Sequence, residues 1–220
     1  MASRPATGEP VFRGWPKSAL TWFDDLDANN NREWFHSNKK TYDDDVRGPM
    51  EALLHELHGE FGDGVLSRPN RDTRFSKDKT PYKLQIYGRI SRPEGGGGWY
   101  VQVHPGGLFV GGGVWMPDRE PLARLRAAIA DDRTGPQLEA IVADLESAGL
   151  SLMEHGALKT APRGYDADHP RIRLLRLPHL AAGIQHPPRA WLHTPKAKQR
   201  VVDGWHAVTP LMDWAAQAAG

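Results

Sequence analysis

The sequence predicts an α+β domain in which an antiparallel sheet, a meander of three or more strands, packs with N-terminal and C-terminal helices. Three observations predict it. Apolar residues recur every three or four positions from Tyr42 to Phe61, alternate with period two between Lys83 and Trp115, and return to helical spacing from Asp118 onward. Helical segments that flank a block of strands, rather than alternating with single strands, favour α+β over a parallel βαβ arrangement.

The elements follow in order. Pro16 suits the first turn of a helix whose apolar face carries Leu20, Phe23 and Leu26. Asn29, Asn30 and Asn31 end it, and Asn30 as N-cap of the next helix puts Glu33 at N3, the capping-box position. A longer helix bears the stripe Tyr42, Val46, Met50, Leu53, Leu54, Leu57 and Phe61, interrupted at Gly48-Pro49 and stopped by Gly62 and Gly64. In the first strand Leu84, Ile86 and Ile90 oppose Lys83, Gln85, Tyr87 and Arg89. The run Gly95–Gly98 reads as a hairpin tip, returning the chain into a strand where Trp99, Val101 and Val103 oppose Tyr100, Gln102 and His104. Pro105-Gly106-Gly107 turns it again into a third strand, Leu108–Trp115. One sheet face is then apolar and suited to helices, the other polar or aromatic and suited to lining a cleft. Helices are expected from Asp118 and around Gln137–Ala148, followed by a proline-rich irregular segment, Lys159–Pro188, containing a short strand near Leu180–Gln185. The last helix is expected from Thr194-Pro195 towards Ala219, with a bend at Pro210.

Composition narrows the function classes. The 220 residues suffice for a substantial core and favour a single α+β domain over 12–220 behind a disordered lead-in, 1–11. Without cysteine there is no disulfide, thiolate metal site or cysteine nucleophile. No apolar run is long enough to span a bilayer, and the N-terminal residues carry no signal-peptide core, so a cytoplasmic protein with no membrane partner is expected. A net charge of +1 means that attraction to a polyanion has to come from a local patch.

That patch is Arg71-Asp72-Thr73-Arg74-Phe75-Ser76-Lys77-Asp78-Lys79-Thr80-Pro81-Tyr82-Lys83. Arg71, Arg74, Lys77, Lys79 and Lys83 face only Asp72 and Asp78, a local +3, among hydroxyls of Thr73, Ser76, Thr80 and Tyr82. Guanidinium forks, mobile ammonium groups and neutral donors at this density suit a phosphate or carboxylate. The alternative reading of the same residues is a solvated loop with internal Asp–Arg pairs. Asp72 and Asp78 are the carboxylates best placed for proton transfer, as a base or an orienting group, because neighbouring cations favour their ionised forms.

This thirteen-residue run resembles the signature of an uncharacterised bacterial family, domain-of-unknown-function family 2461. Asn30, Asn31, Glu33, Trp34 and Phe35, continued by Asn38 and Tyr42, are similar to its upstream motif. So are the glycine-rich strand Val110–Trp115 and the segment Pro162–Pro170. The resemblance runs from about Phe12 to Trp214. It departs where Phe61–Arg71 is short and where Pro178 stands between Leu177 and His179. The resemblance implies a fold but no reaction.

The expected function is binding of a phosphate- or carboxylate-bearing small molecule in a basic cleft, with catalysis open. Arg71, Arg74, Lys77, Lys79, Lys83, Arg163 and Tyr165 are the candidate ligand-binding residues, and Asp72, Asp78, Tyr82 and His104 the candidate catalytic ones. No cofactor or metal is expected, although Glu51, His55 and His58 share one helical face at metal-compatible spacing. Gly111–Gly113 allows close approach of a ligand to the backbone or, equally, a bulge. Two other classes remain: a nucleic-acid-binding module using the local charge with Phe75, Tyr82, Tyr87 and Trp99 for stacking, and a non-catalytic structural or partner-binding domain.

Overall fold

The computed structural model describes residues 10–93 and 96–219, so the expected lead-in lies mostly outside the described residues, as does Gly95 of the hairpin tip. Helices α1 (Lys17–Ala28), α2 (Arg32–Ser37), α3 (Lys39–Thr41) and α4 (Gly48–Phe61) precede strand β1 (Gly64–Leu66). Strands β2 (Ile86–Ser91), β3 (Gly98–His104) and β4 (Gly107–Val114) follow, then α5 (Arg119–Ala130), α6 (Gly135–Ser147), β5 (Ser151–Leu152), α7 (Ile172–Leu175), β6 (Leu180–His186) and α8 (Lys196–Ala219). The six strands form one antiparallel sheet in the order β1-β2-β3-β4-β6-β5. The fold is α+β, with the expected meander at the middle of the sheet and the short strand near Leu180 joined to it.

Several local expectations shift. Pro16 stands at the N-cap of α1 in extended backbone, one residue before the helix begins. The cap of α2 is Asn31, whose side chain accepts from the Trp34 N–H at 2.9 Å, so the cap falls one residue later than expected. The interruption at Gly48-Pro49 takes the form of a π-helical turn over Tyr42–Arg47, in which the Gly48 N–H reaches back to the Asp43 carbonyl. The wider turn delivers Pro49 into the first turn of α4, where its missing N–H costs nothing. Gly62 stops α4 at φ 96°, a backbone conformation open to glycine. Trp115 lies beyond the end of β4 and is half-exposed.

The chain forms two compact units, one comprising residues up to Gly88, Gln102–Leu108 and Pro187–Gln199, the other Arg89–Val101, Phe109–His186 and the chain from Arg200. In the first unit Leu54 of α4 lies so close to Gly88 of β2 and Gly64 of β1 that a Cβ at either would fall within about 3 Å of it. Trp22, Phe35, Tyr42 and Tyr82 form an aromatic cluster there. In the second unit α5, α6 and α8 pack a continuous core that includes Leu125, Ile129, Leu138, Leu145, Leu211 and Trp214. Trp99 of β3 donates its indole N–H to the Trp205 carbonyl of α8, and Trp205 returns one to the Tyr100 carbonyl.

Gly111–Gly113 serves this packing. A Cβ at Gly111 would meet the Ala182 carbonyl at 2.5 Å, one at Gly112 the Gly98 carbonyl at 2.7 Å, and one at Gly113 the Ala181 Cα at 2.4 Å. Gly113 has φ 142°, outside what a side chain readily adopts. The close approach open to these glycines is therefore made by the neighbouring strands β6 and β3.

Candidate functional site

The cationic segment occupies the first unit, between β1 and β2. Its two ends are laid side by side: Asn70 and Tyr82 form an antiparallel bridge, the Arg71 N–H donates to the Pro81 carbonyl (2.8 Å), and the Lys83 N–H to the Pro69 carbonyl (2.9 Å). Residues 72–80 are thus a loop with paired feet. Its base is locked to the N-terminal helices by Asn30. That side chain accepts from the Tyr82 N–H and donates to the Tyr82 carbonyl, both at 3.0 Å, as a neighbouring strand would. The Tyr82 ring is buried and stacks on Phe35, with centroids 4.0 Å apart and planes 11° from parallel.

Beside these feet lies a hollow of about 300 Å³ lined by Asp27, Asn30, Arg71, Asp78, Thr80, Tyr82, Lys83, Leu84 and Gln85. Arg71 is held by one nitrogen: Nη1 donates to the Asp78 carboxylate and to the Thr80 hydroxyl. Among the described residues its Nε and Nη2 have no protein acceptor, so the edge of the guanidinium that grips carboxylates and phosphates in two-point fashion remains available. Asp78 Oδ1 accepts from the Thr80 N–H (2.9 Å) and hydroxyl (2.8 Å). These bonds, with Arg71, hold its carboxyl at a pKa of about 2. Lys83 Nζ donates to the Arg68 carbonyl (2.9 Å) and sits 5.3 Å from the Tyr87 ring centroid, and burial together with the Arg68 cation lowers its pKa. The charged groups in the lining are two cations, Arg71 and Lys83, and two carboxylates, Asp27 and Asp78.

Four of the sequence-predicted residues therefore meet at this hollow: Arg71, Asp78, Tyr82 and Lys83. Arg74, Lys77, Lys79 and Asp72 stand outside its lining, on the loop. Arg74 forms a two-point pair with Asp72, whose carboxyl it holds below its usual pKa, and Lys79 Nζ donates to the Thr73 carbonyl at 2.9 Å. Lys77 is exposed. His104, also outside the lining, accepts on Nδ1 from the Gly106 N–H at 3.1 Å. Glu51, His55 and His58 are exposed, with Glu51 paired to Arg47 and His58 to Asp63. Among the described residues no three metal-ligating side chains converge.

Arg163 and Tyr165 belong to the second unit, Arg163 exposed and Tyr165 packed against that unit's core. The buried cation of this segment is one that sequence reasoning passed over. Arg171 is 5% exposed and donates to the Ile129 and Ala130 carbonyls at the end of α5 (2.6 and 3.0 Å), while pairing with Asp132 at 2.7 Å. It satisfies carbonyls that a helix C-terminus leaves open. A Cβ at Gly135 would come within 2.3 Å of its Nε. Reasoning from sequence also missed Asp27 as a lining residue, whereas Thr80, read among the anion-binding hydroxyls, and Gln85, read on the polar strand face, do line the hollow. Asp27 reaches the hollow only because α1 ends beside it, and no local pattern announces that.

No helix among the described residues is long and apolar enough to cross a membrane. No curated protein and no solved structure matches the chain. The family model described as conserved hypothetical protein (DUF2461) matches residues 18–214, and the chain belongs to that family.

Proposed function

We propose that the hollow at the feet of the 71–83 loop binds a small molecule bearing a phosphate or carboxylate. The observation that carries this reading is the state of Arg71. One nitrogen is anchored by Asp78 and Thr80, which fixes the plane of the guanidinium, and the Nε–Nη2 edge is left for a ligand. A fork oriented in advance loses less freedom on binding than a mobile one. Lys83 lines the same hollow and supplies a second positive charge. Asp27 offers an acceptor, which favours a ligand that carries a hydroxyl or amine besides its anionic group. Volume agrees, since about 300 Å³ is at the lower end of small-molecule sites.

Asp78 acts in this reading as an orienting group. A carboxylate with a pKa near 2 that already accepts from Thr80 and Arg71 is a weak base at neutral pH. Tyr82 acts through its buried ring and its backbone, fixing the floor of the site. The reading is one of binding, with no proton transfer assigned.

Titration calorimetry with inorganic phosphate, followed by thermal-shift screening with phosphorylated and carboxylated metabolites, tests it. The wild-type protein is expected to bind phosphate. Arg71→Lys, which keeps the charge but replaces the fork with a point contact, is expected to weaken binding by about tenfold. Absence of heat and of any thermal shift across both ligand classes would overturn the reading.

A further inference from the structure

We propose that the tip of the same loop, Arg74 to Lys77, is a stacking contact for single-stranded nucleic acid, a strand whose phosphate occupies the Arg71 fork; the inference rests on the anion-site reading above. Phe75 is 97% exposed, the most exposed large apolar side chain among the described residues. Its exposure is built in. Asp72 accepts from the Arg74 N–H, Nε and Nη2, and the Thr73 carbonyl accepts from the Ser76 N–H (3.3 Å) and from Lys79 Nζ (2.9 Å). The backbone on both sides of Phe75 is braced by these bonds, and the ring projects from a formed turn. A phenyl ring left in water contributes nothing to the stability of the unit that carries it, whereas covering it in a complex removes apolar surface from water and favours binding.

The neighbours of the ring specify what covers it. Arg74, Lys77 and Lys79 are exposed cations within four residues of it along the chain, and from Arg71 to Lys83 five cations stand against two carboxylates. An exposed aromatic face on a loop with a net excess of positive charge fits a base flanked by phosphates. The distance fits one short strand: Phe75 is four residues from Arg71, so the two lie within about 14 Å along the backbone. A lipid surface fits less well. The loop carries no second exposed apolar side chain to enter the acyl region beside Phe75, and a lone ring adds little area for insertion. With an overall charge of +1, the contact depends on this loop rather than on a general attraction to polyanions.

The test measures fluorescence anisotropy of a labelled short single-stranded oligonucleotide with the full chain at low salt, phosphate calorimetry on the same proteins, and co-sedimentation with phosphatidylserine vesicles. Phe75→Ala is expected to weaken the oligonucleotide by about fivefold or more and to leave phosphate binding unchanged. Phe75→Trp should retain the oligonucleotide and Phe75→Leu should not, because stacking needs a π face and hydrophobic insertion does not. Arg71→Lys should weaken both ligands. Phosphate binding without oligonucleotide binding, or with oligonucleotide affinity equal in the wild type and Phe75→Ala, overturns the inference and leaves the anion site standing. Phe75-dependent sedimentation with vesicles in the absence of oligonucleotide binding also overturns it. Loss of both phosphate and oligonucleotide binding in the wild type brings down the anion site as well.

Discussion

Asn30 shows how one side chain can stand in for a strand. Its amide presents a donor and an acceptor to the backbone of Tyr82, so the second foot of the loop, bridged to Asn70 on one side, is held on the other without a further β-strand. Asn30→Asp replaces the donor with a carboxylate oxygen facing the Tyr82 carbonyl. We expect a loss of about 1–3 kcal/mol, the usual consequence of leaving a partly buried acceptor unpaired, read as a lower urea midpoint; an unchanged midpoint would show that the pairing does not hold the loop. Sequence reasoning placed Asn30 as a helix cap because its neighbours fit a capping box. The pattern identified the right kind of residue one position early, and the true cap, Asn31, left Asn30 free for a partner 52 residues away. Arg171 is the opposite case. Nothing in its local sequence separates it from Arg173 two residues on, yet Arg171 is buried against the end of α5 and Arg173 lies on the surface between Glu146 and Glu154.

At the scale of elements, the strands β2, β3 and β4 were legible because each is long enough for alternation to repeat, and β6 because it is bounded by prolines. Strands β1 and β5, of three and two residues, are too short to show a period and exist only through their neighbours: β5 pairs antiparallel with β6 through Ser151 with Gly183 and Leu152 with Ala182. Glycines separate the two kinds of constraint. Gly59 lies inside α4 with nothing within 4 Å of a Cβ, so Gly59→Ala is expected to stabilise the protein by about 0.5–1 kcal/mol through helix propensity. Gly113→Ala puts a methyl group 2.4 Å from the Ala181 backbone at φ 142° and is expected to destabilise it. Thermal denaturation of the two variants should move in opposite directions. A stabilised Gly113→Ala would mean that β4 and β6 are not packed as closely as described.

For the molecule as a whole, acid sensitivity follows from the second unit's histidines. Burial lowers the pKa of His179 and of His186 from 6.5. His179 Nε2 donates to the Met153 carbonyl (2.8 Å) and its ring stacks on Trp115. With folded values below the unfolded one, the unfolded chain takes up protons first as pH falls. Stability is therefore full above pH 6.5 and is lost as pH drops from there through the lowered folded values. The urea midpoint should be lower at about pH 5.5 than at about pH 7.5, with a smaller difference in His179→Gln/His186→Gln. An equal difference in the double variant would assign the effect to other groups.

The sequence by itself determined the α+β class, the meander, the approximate span of the main helices and the segment where charge gathers. These are all local properties: periodicity within a dozen residues, turn-forming glycine and proline, and a run of cations. Only the tertiary structure decided which of those cations share a hollow. Arg71 and Lys83 meet there because antiparallel pairing brings the loop's feet together, while Arg74, Lys77 and Lys79 are carried out on the loop. Asp27 and Asn30 join them from the other end of a long chain separation. A one-dimensional pattern records which groups are adjacent along the chain, and a binding site is made by groups that backbone pairing and burial bring adjacent in space.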